Sequence, residues 1–197
     1  MRFENIHEIL TFSRNNSSLV NYNHMMRVKE FSRRIIEELQ ELLEFTKEQE
    51  FILFSSAALH DIGKCLDKKE HPKYSREMIL TSPELMIIPP RIKKLIGIAV
   101  ESHRKTISEE MWTLEKKEQE AILKVVSILR IADALGKSEN KRLELLDCEV
   151  TEDNIVIILD ASLIDKDYAS LKKKARLFEE IYNKKLIVIY KLSYLLR

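Results

Sequence analysis

A chain of 197 residues can bury a substantial core, and 33 basic against 32 acidic residues leave it nearly neutral, so no overall field draws it to a nucleic-acid duplex or a membrane. Three glycines and four prolines among abundant lysine and glutamate favour helix. Two cysteines, Cys65 and Cys148, without C-x-x-C spacing exclude a disulfide framework and are expected to be reduced and buried.

The N-terminus, M-R-F-E-N-I-H-E, has no signal-peptide apolar region, and no apolar run approaches the roughly 20 residues of a membrane span. A soluble cytoplasmic protein is therefore expected. Residues 2–13 read as a short helix, with His7 on the surface, broken by the polar run Arg14 to Ser18. From Tyr22 to about Leu43, His24, Val28, Phe31, Ile35, Leu39 and Leu42 recur at helical spacing, so His24 continues an inward-facing stripe. Thr46 and Gln49 have capping-box spacing and open a helix that runs through Phe51, Phe54, Ala57 and Ala58 to His60-Asp61, with Gly63 ending it.

A further helix covers Tyr74 to Leu80, and Pro89-Pro90 starts the next, since proline suits a first helical turn. There Ile92, Ile96, Ala99 and His103 share one stripe. After a charged connection around Trp112, read as a half-buried core residue, a helix from Lys116 carries Ile122, Val126, Leu129 and Asp133 on one face. The pattern then changes. Asp147–Thr151 and Ile155–Leu159 are strand-like and meet at the turn-rich Glu152 to Asn154, a hairpin. Tyr168–Tyr182 is an amphipathic helix with Leu171, Ala175 and Phe178 inward, and Leu186–Leu192 is a third strand. The expected fold is mainly α: a helical metal-binding domain over 1–143, then a small α+β subdomain over 144–197.

Six potential ligands end or continue apolar helical stripes: His24, His60, Asp61, His71, His103 and Asp133. A single histidine on an apolar face is more often a hydrogen-bonded core residue than a ligand. Burying all six as unrelated polar groups would require a partner for each, whereas a shared metal centre satisfies them together. Six groups exceed the need of one ion and match that of two. Lys64 lies one turn after His60-Asp61, placed to neutralise substrate phosphate or support Asp61. Arg27, Arg104-Lys105, Arg130 and Lys137-Ser138 flank the other ligands and could form a cationic rim, guanidinium offering bidentate donors to phosphate. No Walker loop, G-x-G-x-x-G or G-x-S-x-G occurs, which argues against nucleotide-triphosphate switches and serine hydrolases.

The spacing His24…His60-Asp61…Asp133 resembles the H…HD…D signature of the HD superfamily of metal-dependent phosphohydrolases. H-P-K-Y-S at His71 and E-S-H-R at His103 resemble the extra histidine motifs of its binuclear members. Over nearly the whole chain, A-L-H-D-I-G-K, H-P-K-Y-S-R-E-M-I-L, E-S-H-R-K, L-R-I-A-D-A-L-G-K-S and R-L-F-E-E-I-Y-N-K-K-L resemble the C-terminal HD domain of the exopolyphosphatase/guanosine-pentaphosphatase family. The resemblance implies that His24, His60 and Asp133 hold a first metal and His71 and His103 a second, with Asp61 bridging. It implies hydrolysis of a phosphoester or phosphoanhydride, of a nucleotide by preference, by metal-activated hydroxide; Asp61 and, from its position beside it, Lys64 are the expected catalytic residues.

The mixed ligand set fits one or two ions of Mn, Fe, Co or Ni better than Mg or Zn. Tyr74 stands where many relatives have histidine. The Gly-Tyr-Pro triplet of cyclic-dinucleotide phosphodiesterases is absent, and so is any actin-like segment, so neither cyclic di-GMP nor polyphosphate specificity is implied. The alternative reading is a non-catalytic metal- or nucleotide-binding regulatory module acting with a protein partner. The expected partners are a small phosphorylated substrate and, through the C-terminal subdomain, a second copy of the chain.

Overall fold

The computed structural model describes residues 6–137, 144–160 and 168–191. Within them the chain is mainly α, with a small three-stranded sheet towards its C-terminal end. Helix α1 (Ile6–Asn15) buries Ile9 and Phe12, and residues 2–5 of the expected helix lie outside the described residues. Helix α2 (Leu19–Glu38) begins earlier than Tyr22 because the Ser18 hydroxyl accepts from the Asn21 N–H and caps it. It stops short of Leu43. Leu39 leaves helical geometry, and the single turn α3 (Gln40–Leu43) is closed by Glu44 in a left-handed conformation, φ 47°.

The capping box forms as its spacing predicts, Thr46 and Gln49 satisfying each other's backbone N–H at the start of α4 (Lys47–Leu59). That helix ends at His60 rather than Gly63, and Ile62–Cys65 tightens into a 3₁₀ turn. Helix α5 (His71–Thr81) begins three residues before Tyr74, because Pro72 occupies its first turn and costs no helical N–H there. Helix α6 (Pro90–Glu101) follows, then a 3₁₀ turn over Glu109–Thr113 and the long α7 (Lys116–Gly136). Trp112, on that turn, is 60% exposed rather than half-buried in the core. Cys65 is exposed and Cys148 half-buried, both free, so their expected burial does not hold: Cys65 closes the 3₁₀ turn and Cys148 lies in β1 beside the exposed Asp147 and Glu149.

Strands β1 (Glu144–Val150) and β2 (Asn154–Asp160) form an antiparallel hairpin with a bulge between Leu145 and Asp147. Helix α8 (Tyr168–Tyr182) then crosses over to β3 (Lys185–Lys191), which pairs parallel to β2, giving the order β1-β2-β3. Leu192 and the boundary placed at residue 143 lie outside the described residues. Helix α2 packs on α4 and α7, α4 on α6 and α7, and α5 on α6. The tail adds α8 against α7 and β1 against α2, where the Arg34 guanidinium donates to the Leu145 carbonyl at 2.9 Å. One buried cluster runs from Ile9 through α4 and α7 to Leu145, Ile157 and Phe178. Among the described residues no helix is long and apolar enough to cross a membrane.

Candidate metal centre

Each of the six residues singled out above sits at or near a helix end. His24 is in the second turn of α2, and His60-Asp61 follow the last turn of α4. His71 opens α5, His103 follows α6, and Asp133 lies in the last turn of α7. Crossing of these elements brings all six side chains together, and all are buried. The 3₁₀ turn after Asp61 is held against α5 by Ser75, whose hydroxyl accepts from the Gly63 N–H at 2.9 Å and donates to the His60 carbonyl at 3.0 Å.

Each imidazole is tethered from behind by its Nδ1: His24 to the Gly136 carbonyl at 3.0 Å, His60 to Ala57 at 2.9 Å, His71 to Lys68 at 2.9 Å and His103 to Val100 at 2.6 Å. A carbonyl only accepts, so Nδ1 carries the proton in every ring and the Nε2 lone pair points inward. The Nε2 atoms of His24 and His60 are 3.3 Å apart, as are those of His71 and His103. Neither member of a pair has a proton for the other. Lone pairs so close repel, and a cation between them removes the repulsion.

The carboxylates complete the pattern. Asp61 Oδ2 lies 3.5 Å from Nε2 of both His24 and His60, and its Oδ1 lies 3.0 Å from His71 Nε2 and 3.9 Å from His103 Nε2. Asp133 Oδ1 faces His24 at 3.2 Å and His60 at 3.8 Å. Two sets have ligand atoms mutually within 4.8 Å: His24, His60 and Asp133, and His60, Asp61 and His103. His60 stands in both, so it and Asp61 form the seam of the site. This donor set fits divalent metal ions, since neutral imidazole and ionised carboxylate are what such ions bind and the carbonyl tethers orient the ligands.

Burial pushes His60 down to about 3, lowers His24, and holds His103 well below the usual imidazole range, with the Asp61 charge opposing in each case. Burial works against ionised Asp61, yet the charged groups around it, the Lys64 ammonium among them, hold it well below the carboxylate range. All three histidines are therefore neutral near pH 7 and Asp61 is charged.

The predicted cationic rim divides. Lys64 is half-buried with its ammonium on Asp61 Oδ2. Arg104 is exposed and lines a cavity of about 570 Å³ with Lys69, Lys73, Arg76, Glu101 and Glu110, and neither His71 nor His103 is part of its lining. Arg27 instead places Nε and Nη2 on the Gly136 carbonyl at 3.2 and 3.1 Å, the same oxygen that orients His24. Arg130 is buried with Nε and Nη2 on the Ser102 carbonyl at 3.0 and 2.8 Å, tying α7 to the residue before His103. Lys137 is an exposed cap residue of α7, and Ser138 lies outside the described residues.

One residue at the centre escaped the sequence reading. Lys174 of α8 places its ammonium on Asp133 Oδ2. Burial lowers it to about 7, with Arg104, Arg130 and Lys64 adding to the shift and Asp61 opposing it. The signal was there: within the run Lys172-Lys173-Lys174, only Lys174 falls on the Leu171, Ala175, Phe178 stripe. A basic run reads as a solvated face, which hid it.

A search of curated proteins returns no match. Residues 12–197 match the protein-family model described as Ppx/GppA phosphatase, domain III. Since that match covers every helix that supplies the centre and the strands and helix that follow, the chain belongs to the Ppx/GppA phosphatase domain III family.

Proposed function

We propose that the chain is a metal-dependent phosphohydrolase of HD type that cleaves a phosphoester or phosphoanhydride of a small substrate, a nucleotide by preference. One observation supports this most: four carbonyl-tethered imidazoles present their Nε2 atoms to two buried carboxylates. His24, His60 and Asp133 would hold one ion and His71 and His103 a second. Asp61 would stand between them, with Oδ2 on the first side and Oδ1 on the other. Mn, Fe, Co or Ni suits the set better than Mg or Zn.

Such ions supply an electrophile for phosphoryl oxygen and lower the pKa of a coordinated water. The remaining work falls to the chain. Asp61 keeps its charge despite burial, and Lys64 beside Asp61 would meet a phosphoryl oxygen. His24→Ala and Asp61→Ala should each remove bound metal and reduce turnover to background. Elemental analysis and a phosphatase and phosphodiesterase panel with Mn and Mg check this, and full activity in either variant overturns it.

The description of the matching family as a third domain favours a second reading, a non-catalytic metal- or nucleotide-binding module acting with a protein partner. Stoichiometric metal without turnover of any nucleotide, dinucleotide or polyphosphate would select it. Co-purification with a separate chain bearing actin-like phosphatase domains would identify the partner.

A further inference from the structure

We propose that Lys174, delivered by α8, is a phosphate-binding residue of the same centre, so that the C-terminal segment supplies part of the substrate site. This rests on the phosphohydrolase reading above. The Lys174 side chain is 15% exposed and lies on the inward stripe of α8, between the buried Leu171 and Ala175. An ammonium has three donors, and among the described residues this one meets a single acceptor, Asp133 Oδ2. The other oxygen of Asp133 is turned to His24 and His60, which places Lys174 one carboxylate away from the imidazole pair. Two donors of a largely buried cation thus remain for an acceptor that the described side chains around it do not provide.

Charge identifies that acceptor. The buried carboxylates Asp61 and Asp133 are matched by the ammonium groups of Lys64 and Lys174, and the four imidazoles, each tied through Nδ1 to a carbonyl, turn lone pairs rather than charge to the centre. Arg104 and Arg130 add further positive charge near Lys174. Arg130 already donates to the Ser102 carbonyl, whereas Lys174 and Lys64 flank the carboxylate pair itself. Any divalent ion held by the imidazoles adds charge that, among the described residues, no further side chain of the centre offsets. An oxyanion with several oxygens relieves that excess and accepts from both ammonium groups; water would fill the donors without balancing the charge.

The test uses the full chain as wild type, Lys174→Met and Lys174→Arg, each loaded with Mn, with inorganic phosphate titrated by calorimetry and ion content measured on the same samples. Lys174→Met should keep the ion content and weaken phosphate binding by roughly tenfold or more, the loss of one charge-assisted hydrogen bond. Lys174→Arg should retain binding within about threefold, since it keeps the charge and the donors. Unchanged phosphate affinity in Lys174→Met overturns the assignment. Loss of bound Mn in that variant also overturns it, because Lys174 would then only brace Asp133. Should the methionine variant not fold, a folded Lys174→Arg with wild-type ion content but no phosphate binding refutes the proposal equally. Wild type that binds neither Mn nor phosphate defeats the phosphohydrolase reading and this assignment with it. Wild type that binds both, with Lys174→Met unaffected, defeats this assignment alone.

Discussion

His60 is fully buried between a carbonyl behind it and a carboxylate before it, and that setting gives the metal-free protein a definite response to acid. An unfolded chain protonates its histidines near 6.5, whereas folded His60 resists until about 3 and His24 and His103 are lowered too. The unfolded state therefore binds more protons in that window, so stability falls as pH falls. It should be fully present above about 6.5 and lost progressively towards about 3. Thermal melts of metal-free protein at stepped pH check this, and a Tm that stays flat from pH 7 to 4 contradicts it. Gly63 makes a second demand at this scale. A Cβ there would lie 2.5 Å from the Ser75 nitrogen and 2.6 Å from the His71 oxygen, both backbone atoms that cannot swing aside. Gly63→Ala should cost about 1–3 kcal/mol and push α5 away from the site. A lowered Tm and a lower ion content than wild type are the expected result by melting and elemental analysis.

Helix ends matter more here than helix interiors. Val28, Ala57, Ile96 and Leu129 are buried as the spacing of their stripes predicts, while the later turns of α4 and α7 are buried on every side. Boundaries were less legible. The break at Leu39, the end of α4 at His60 and the early start of α5 depend on single backbone conformations and on partners distant in sequence. Ser75 is the clearest case: its hydroxyl joins the 3₁₀ turn to α5 across 12 and 15 positions, and nothing in its local sequence announces that. Arg27 and Arg130 show the converse. Their nearness to ligands was visible, but both guanidinium groups go to carbonyls that terminate helices, where unpaired oxygens need donors.

Across the whole molecule, the tail and the helices share one core. Phe178 of α8 is fully buried in the same cluster as Ile131 and Leu129 of α7. Phe178→Ala should therefore cost about 3–5 kcal/mol, lowering Tm by roughly 10 °C in a single transition. Calorimetry that resolves a separate early transition for the tail would refute a shared core. The same docking brings Lys174 to Asp133.

By itself, the sequence determined the helical class, the hairpin-helix-strand tail and the six converging side chains, because periodicity and residue chemistry are local and are repeated often enough to be read. The tertiary structure decided which lone pairs face one another, which cations reach the centre and which are taken up by helix ends. Those outcomes depend on helices crossing at particular residues, and such crossings follow from packing the whole chain at once.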